Sequence, residues 1–293
     1  MSIRKGRPTL RCVLQISDMH AGSRWGLYNP ECVLIRANDD GDVEEWQPAL
    51  TPTQRYLWSL LDDKLGEIAD WAGGDEILLF HTGDATQGDR YTEAMMLDIT
   101  RSDQRAIATS NLAYICRRLP QIRKVRLITG TLVHVPNDAE ARTAADLREE
   151  TGLDVASAHH VRANISGAVF EIAHHGPFPG SRDWLRGNVA LYHLKDRVYR
   201  DRRAGIRPAD VYMYGHFHTF VEVPLADEWL GESRLLRLVI APSMVGMGHY
   251  ARKSTRSAPF VSHGLVGYGV VNGMVAEVVP FKRRLDLRTE ETL

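Results

Sequence analysis

The chain has 293 residues, enough for one large domain or two small ones. With 44% hydrophobic and 25% charged residues and a formal net charge of −1, it has the balance of an ordinary globular protein and lacks the global basic field of a general nucleic-acid binder. No apolar run is long enough for a membrane span or a signal peptide, so a cytoplasmic location with no membrane partner is expected. Three unpatterned cysteines, Cys12, Cys32 and Cys116, leave oxygen and imidazole as the ligand types for any metal.

Five short apolar runs read as buried strands that end in polar clusters. Cys12–Ile16 leads into Ser17-Asp18-Met19-His20, and Ile77–Phe80 into His81-Thr82-Gly83-Asp84. Val125–Thr129 precedes Gly130, Ala168–Ala173 precedes His174-His175-Gly176, and Val211–Tyr214 precedes Gly215-His216-Phe217-His218. Between them, Thr51-Pro52-Thr53-Gln54 has the pattern of a capping box with proline at the first helical position. Leu57, Leu60, Leu61, Leu65 and Ile68 then recur at helical spacing. Further helices are expected over Gln104–Leu119, from Asn137 or Asp138 to Gly152, and from about Asp183 to Gly205.

After His218 the texture turns to strands: Leu235–Ile240, Leu265–Val271 and Met274–Val279, the last two joined by the hairpin signal Asn272-Gly273. No linker or repeat divides the chain. The expectation is a single domain over residues 1–293, with an insertion at about 22–50 near the first motif and a strand-rich part at about 235–282.

Taken one at a time the motifs are weak. Asp18 and His20, two apart after a strand, would point to one side and offer a carboxylate and an imidazole to a hard cation, yet Asp-X-His is also common in surface turns. Gly83-Asp84 marks a turn as readily as a ligand. Gly215-His216-Phe217-His218 is stronger, because two histidines at period two form a ready metal pair.

Their order carries more weight. Asp-X-His, Gly-Asp, Gly with a nearby His, His-Gly and Gly-His-X-His stand at five successive strand ends, and in this the chain resembles the calcineurin-like metallophosphoesterase superfamily over residues 11 to about 220. The resemblance implies an α/β (α+β) fold, a four-layer αββα sandwich of two mixed sheets flanked by helices. It implies that Asp18, His20 and His218 hold one metal, that Asp84 bridges, and that His216 and His175 hold the other, with His174 the competitor of its neighbour. The third block departs from the family pattern. Where Gly-Asn-His is usual, Gly130-Thr131-Leu132-Val133-His134 stands, similar to the Gly-Thr-X-X-His of phage- and prophage-associated members. Thr131 then replaces a ligand amide. His134 becomes a candidate ligand or catalytic acid, and Asn137 a substitute amide. His81 is a candidate donor to a ligand carboxylate, and Arg24 a candidate phosphate clamp in the substrate site.

Mixed carboxylate and imidazole ligands suit two divalent transition ions, Mn, Fe or Zn, better than Mg or Ca. Such a pair acidifies a shared water towards a pKa of about 7, ready to attack phosphorus in line. The expected function is hydrolysis of a phosphoester, favouring a phosphodiester of nucleic acid or a nucleotide because of the basic run Lys195–Arg203. The rival from another class is a non-catalytic binding module on a degenerate metallophosphoesterase fold, which the substitution at Thr131 would permit.

Overall fold

A computed structural model describes residues 11–37, 42–134, 138–179, 185–248 and 260–288. The first strand, β1 (Arg11–Ile16), is followed by a two-stranded ribbon, β2 (Leu34–Ala37) and β3 (Val43–Trp46). Helix α1 (Pro52–Ala72) begins on the predicted capping box. The Thr51 hydroxyl accepts from the Gln54 amide, and the Gln54 side chain accepts from the Thr51 amide. Next come β4 (Ile77–His81), α2 (Arg101–Arg118), β5 (Ile122–Ile128), α3 (Ala139–Thr151), β6 (Asp154–Ala158), β7 (His160–Ile165) and β8 (Ala168–Ala173).

Helix α4 (Asn188–Arg203) starts later than the periodicity predicts, because Gly187 takes left-handed backbone at φ 92° and cannot continue a helix N-terminally. The expected start near Asp183 lies outside the described residues. Strands β9 (Val211–Tyr214), β10 (Val221–Trp229), β11 (Glu232–Ile240), β12 (Phe260–Val271) and β13 (Met274–Asp286) complete the chain. The turn between the last two places Asn272 and Gly273 at φ 50° and 77°, the two positive values a tight hairpin needs.

These strands form two mixed sheets, ordered β13-β12-β1-β4-β5-β6 and β10-β11-β9-β8-β7. Apolar side chains of α1, α2 and α3 pack with Leu14, Ile16, Leu79 and Val125 on the outer face of the first sheet. Ala190, Leu194 and Val198 of α4 pack on the outer face of the second, against Tyr212 and Leu238. Between the sheets lie Val13, Phe80, Ile128, Phe170, Ile172, Met213 and Tyr268. The architecture is the expected four-layer αββα sandwich. Within the expected insertion, Leu27, Tyr28, Cys32 and Leu34 are buried in the core of the first sheet. No helix among the described residues is long and apolar enough to cross a membrane.

One polar residue crosses the apolar layer. Gln15, buried on β1, donates to the Thr82 hydroxyl at 3.1 Å and to the Tyr214 carbonyl at 2.9 Å. Its own carbonyl accepts from Tyr268 at 2.5 Å. The amide thus pins β9 of the second sheet to β1 and β12 of the first, directly beneath the strand ends where the polar motifs meet.

Candidate metal centre

The five motifs converge, by a route the period-two argument does not anticipate. β1 ends at Ile16 and β9 at Tyr214, so neither the Asp18–His20 pair nor the His216–His218 pair lies on a strand. Instead Asp18, His20, Asp84, His216 and His218 all adopt left-handed backbone, with φ between 45° and 75°. Such conformations are uncommon for residues other than glycine and cost on the order of 1–3 kcal/mol each. Five together, all on candidate ligands, are held by the surrounding backbone. The Asp18 amide donates to the Gly83 carbonyl and the His20 amide to the Asp84 carbonyl, so the first two motifs run side by side beyond their strands. The Gly215 amide donates to the His174 carbonyl, which ties the last two in the same way.

The first sheet supplies Asp18, His20, Asp84, Thr131 and His134, and the second supplies His174, His175, His216 and His218. On one side, His218 Nε2 is 3.3 Å from Asp18 Oδ1, and His20 Nε2 lies 4.0 Å from Asp18 and 3.9 Å from Asp84. On the other, Asp84 Oδ2 is 3.2 Å from His174 Nε2. The Thr131 hydroxyl stands among His174, His175 and His216 at 3.2, 3.3 and 3.3 Å, and the Thr131 amide donates to Asp84 Oδ1 at 2.6 Å. Donor atoms of Asp18, His20 and His218, of His174, His175 and His216, of His20, Asp84 and His134, and of Asp18, Asp84 and His174 lie within 4.8 Å of one another. Asp84 is therefore shared between the two halves.

The resemblance selects His175, the histidine just before Gly176, over His174, and both could ligate only if the strand had already ended. β8 has already ended at Ala173, so both rings reach Thr131, with His174 buried against Asp84 and His175 exposed. His134 falls on the Asp18–His20 side, its ring centroid 4.5 Å from that of His20. Asn137 lies outside the described residues. His81 is buried beneath the site, where its Nδ1 accepts from the Gly83 amide; it donates to no ligand carboxylate. Arg24 is exposed, its guanidinium 5.8 Å from the Trp25 ring.

Tautomers follow from the partners. His174 donates through Nδ1 to the Thr82 carbonyl at 2.7 Å, His134 through Nδ1 to the Gln87 carbonyl at 2.7 Å, and His20 through Nδ1 to the Gln87 side chain at 3.1 Å. With Nδ1 so committed, each ring turns Nε2 into the centre, the nitrogen a ligating imidazole would use; on His174 that nitrogen faces Asp84.

The electrostatics suit a cation. Burial alone would raise Asp84 and lower His174, but their mutual contact prevails, holding Asp84 at about 2 and raising His174 to about 9. Burial also disfavours the charged form of Asp18, yet the facing His218 keeps its carboxyl far below the usual carboxylate range. Burial and the neighbouring His134 push His20 down to about 3, and burial beside His174 pushes His216 to about 4. The centre therefore holds two ionised carboxylates, a protonated His174 against Asp84, and neutral imidazoles at His20 and His216.

Two features test whether metal fits these residues. Buried Asp18 Oδ1 and His20 Nε2 both lack a hydrogen-bond partner, and a cation between them would satisfy both. The backbone is also cleared for the ligands. A Cβ on Gly130 would meet Asp84 Oδ1 at 2.1 Å, and one on Gly215 would meet the Ser17 hydroxyl at 2.1 Å and Asp18 Oδ2 at 3.0 Å. The donor set fits divalent metal binding.

Two contributors carry no sequence signal. Gln87, three residues past Asp84, orients both His20 and His134. Glu140, in the first turn of α3, is buried with its carboxylate 3.4 Å from the Ala85 amide, and burial beside Asp84 raises it to about 7. An acid in a first helical turn ordinarily reads as a solvent-facing partner of the helix dipole.

No protein-family model and no curated protein matches this chain. Among solved structures it is similar to wild-type Vps29 from Entamoeba histolytica, crystallised in complex with zinc. The identity is 15%, over 94% of this chain and 99% of that one, with a TM-score of 0.33. It is also similar to protein TM1076 from Thermotoga maritima, solved by NMR, at 12% identity over 92% of this chain and 99% of that one, with a TM-score of 0.33.

Proposed function

We propose that the chain is a binuclear metal-dependent phosphoesterase acting on a phosphodiester of nucleic acid or a nucleotide. The observation that carries this reading is the convergence of two buried carboxylates and six imidazoles on one point between the sheets, with Asp84 common to both halves. Asp18, His20, His218 and Asp84 would hold one ion, and Asp84, His216, His174 and His175 the other, with the Thr131 hydroxyl in reach of the second group. When bound, such a pair acidifies water and neutralises phosphoryl oxygens.

The chain's own residues orient and exclude. Gln87 fixes the rings of His20 and His134, and Thr82 fixes that of His174. His134, with Nδ1–H committed to the Gln87 carbonyl, presents Nε2 to the site. In its protonated form this nitrogen can donate to the leaving oxygen as a general acid. The test is a panel assay with Mn on a bis-aryl phosphodiester, an aryl monoester, and single- and double-stranded DNA. Metal-dependent turnover of the diester is expected. Two bound ions with no turnover of any substrate would favour the binding-module reading.

A further inference from the structure

The solvent face of α4 is unusual for an outer helix. Ala190, Leu194 and Val198 face the sheet, while Tyr192 and Tyr199 point away from it, 70% and 59% exposed. The two rings are seven residues apart, on one line of the helix about 10 Å long. Each carries a cation: Lys195 Nζ lies 5.6 Å from the Tyr192 centroid and the Arg203 guanidinium 5.8 Å from that of Tyr199. The other basic side chains of α4 are committed, Arg197 to Glu171, Arg200 to Asp196 and Arg202 to Asp227. Lys195 and Arg203 make no ion pair among the described residues.

The N-terminal end of α4 lies beside the candidate metal centre. The Gly187 amide, just before α4, donates to the Pro179 carbonyl, and next to Pro179 the Phe178 ring is 53% exposed. Phe178 packs edge-on against Phe217 at 5.6 Å, and Phe217 against the ligand candidate His216 at 4.9 Å. One turn into the helix, His193 meets Tyr214, the last residue before Gly215-His216. The exposed Phe178 thus stands on the candidate-ligand side of α4, whose outer face carries the exposed Tyr192 and Tyr199.

We propose that this face is a tract for single-stranded nucleic acid, with bases stacking on Phe178, Tyr192 and Tyr199 and phosphates meeting Lys195 and Arg203. Stacking rings interleaved with uncommitted cations are what a single strand requires, because every base has a π-face and every linkage a negative charge. The inference rests on the phosphodiesterase reading, since a tract leading away from the site has a use only if the substrate is a polymer.

The experiment measures binding of the full chain to a fluorescent oligothymidylate of about a dozen nucleotides, a length within the range of single-strand sites. In parallel it follows hydrolysis of the bis-aryl phosphodiester with Mn. Tyr192→Ala/Tyr199→Ala should weaken oligonucleotide binding about 10-fold or more and leave aryl diester turnover unchanged. Lys195→Gln/Arg203→Gln should flatten the salt dependence by roughly 0.7 per cation removed. Wild-type protein that does not bind the oligonucleotide, or binding that both double variants retain in full, overturns the tract even if the diester is hydrolysed. Stronger capture by anionic vesicles than by the oligonucleotide also overturns it. Variant-sensitive binding without diester turnover upholds the tract and removes the catalytic reading.

Discussion

Asp84 and His174 set the character of the site. Their charges stabilise each other in a place where either alone would be neutralised, and the proton on His174 is one that an incoming ion must displace. His174→Ala is expected to lose one ion per chain and nearly all turnover, as measured by metal analysis and a diester assay. His175→Ala, which removes the exposed neighbour, should weaken metal affinity and regain much of its rate in excess Mn. His134 separates two roles in one experiment. As the acid for the leaving group, His134→Ala should keep both ions and lower the rate by about 10²–10⁴-fold, less for substrates with good leaving groups. Loss of an ion instead would make it a ligand. The candidate ligands were legible as types and order, because five weak motifs fell at five strand ends. Their geometry was not, since left-handed backbone at Asp18, His20 and His216 leaves no mark beyond the small or polar residues around it. Gln87 and Glu140 were invisible, because a lone buried amide or acid acquires its meaning only from what the fold sets beside it.

At the scale of elements, the legible strands are those with a continuous apolar run, β1, β4, β8, β9, β11 and β12, together with β5 from Val125 onward, past the exposed Arg123 and Lys124. The strands missed are largely edges. β6 and β7 close the two sheets at one side, and β10, at the far edge of the second sheet, contains Pro224, which central strands exclude. Their alternation is blurred because one flank meets water. β13 is also an edge, yet Asn272-Gly273 announced it. The consequence of the sandwich is that each sheet brings half the candidate ligands, so a shared centre needs the sheets fixed relative to one another. Gln15 does this beneath the site. Gln15→Leu should leave the Tyr268 hydroxyl without its acceptor and destabilise the protein by about 1–3 kcal/mol. Metal affinity should fall with it, a pairing that thermal melting and metal titration would reveal. By contrast, Gly273→Ala strains a hairpin at the opposite end of β12 and should cost about 1 kcal/mol with metal affinity unchanged.

For the whole molecule, buried histidines make stability depend on pH in both directions. Burial pushes His81 and His263 down to about 4, while an unfolded histidine titrates near 6.5. Between those values the unfolded chain binds more protons, so this contribution is complete above about 6.5 and lost as the pH falls towards 4. His174 has the opposite sign. Raised to about 9 by Asp84, it contributes fully below about 6.5, and that contribution is lost as the pH rises through 9. Metal-free protein should therefore melt highest near neutrality and lower on both sides, by melting temperature against pH. His263→Gln should flatten the acid side, and metal loading should flatten the alkaline side by replacing the His174 proton.

The central claim is that one carboxylate, Asp84, serves two ions. Metal stoichiometry and affinity, measured by titration of wild-type protein and Asp84→Ala with Mn or Zn, test it most directly. The account predicts two ions per wild-type chain and a loss of affinity at both positions from the single substitution. Two ions bound with unchanged affinity in Asp84→Ala, or no metal bound by wild-type protein, would contradict it.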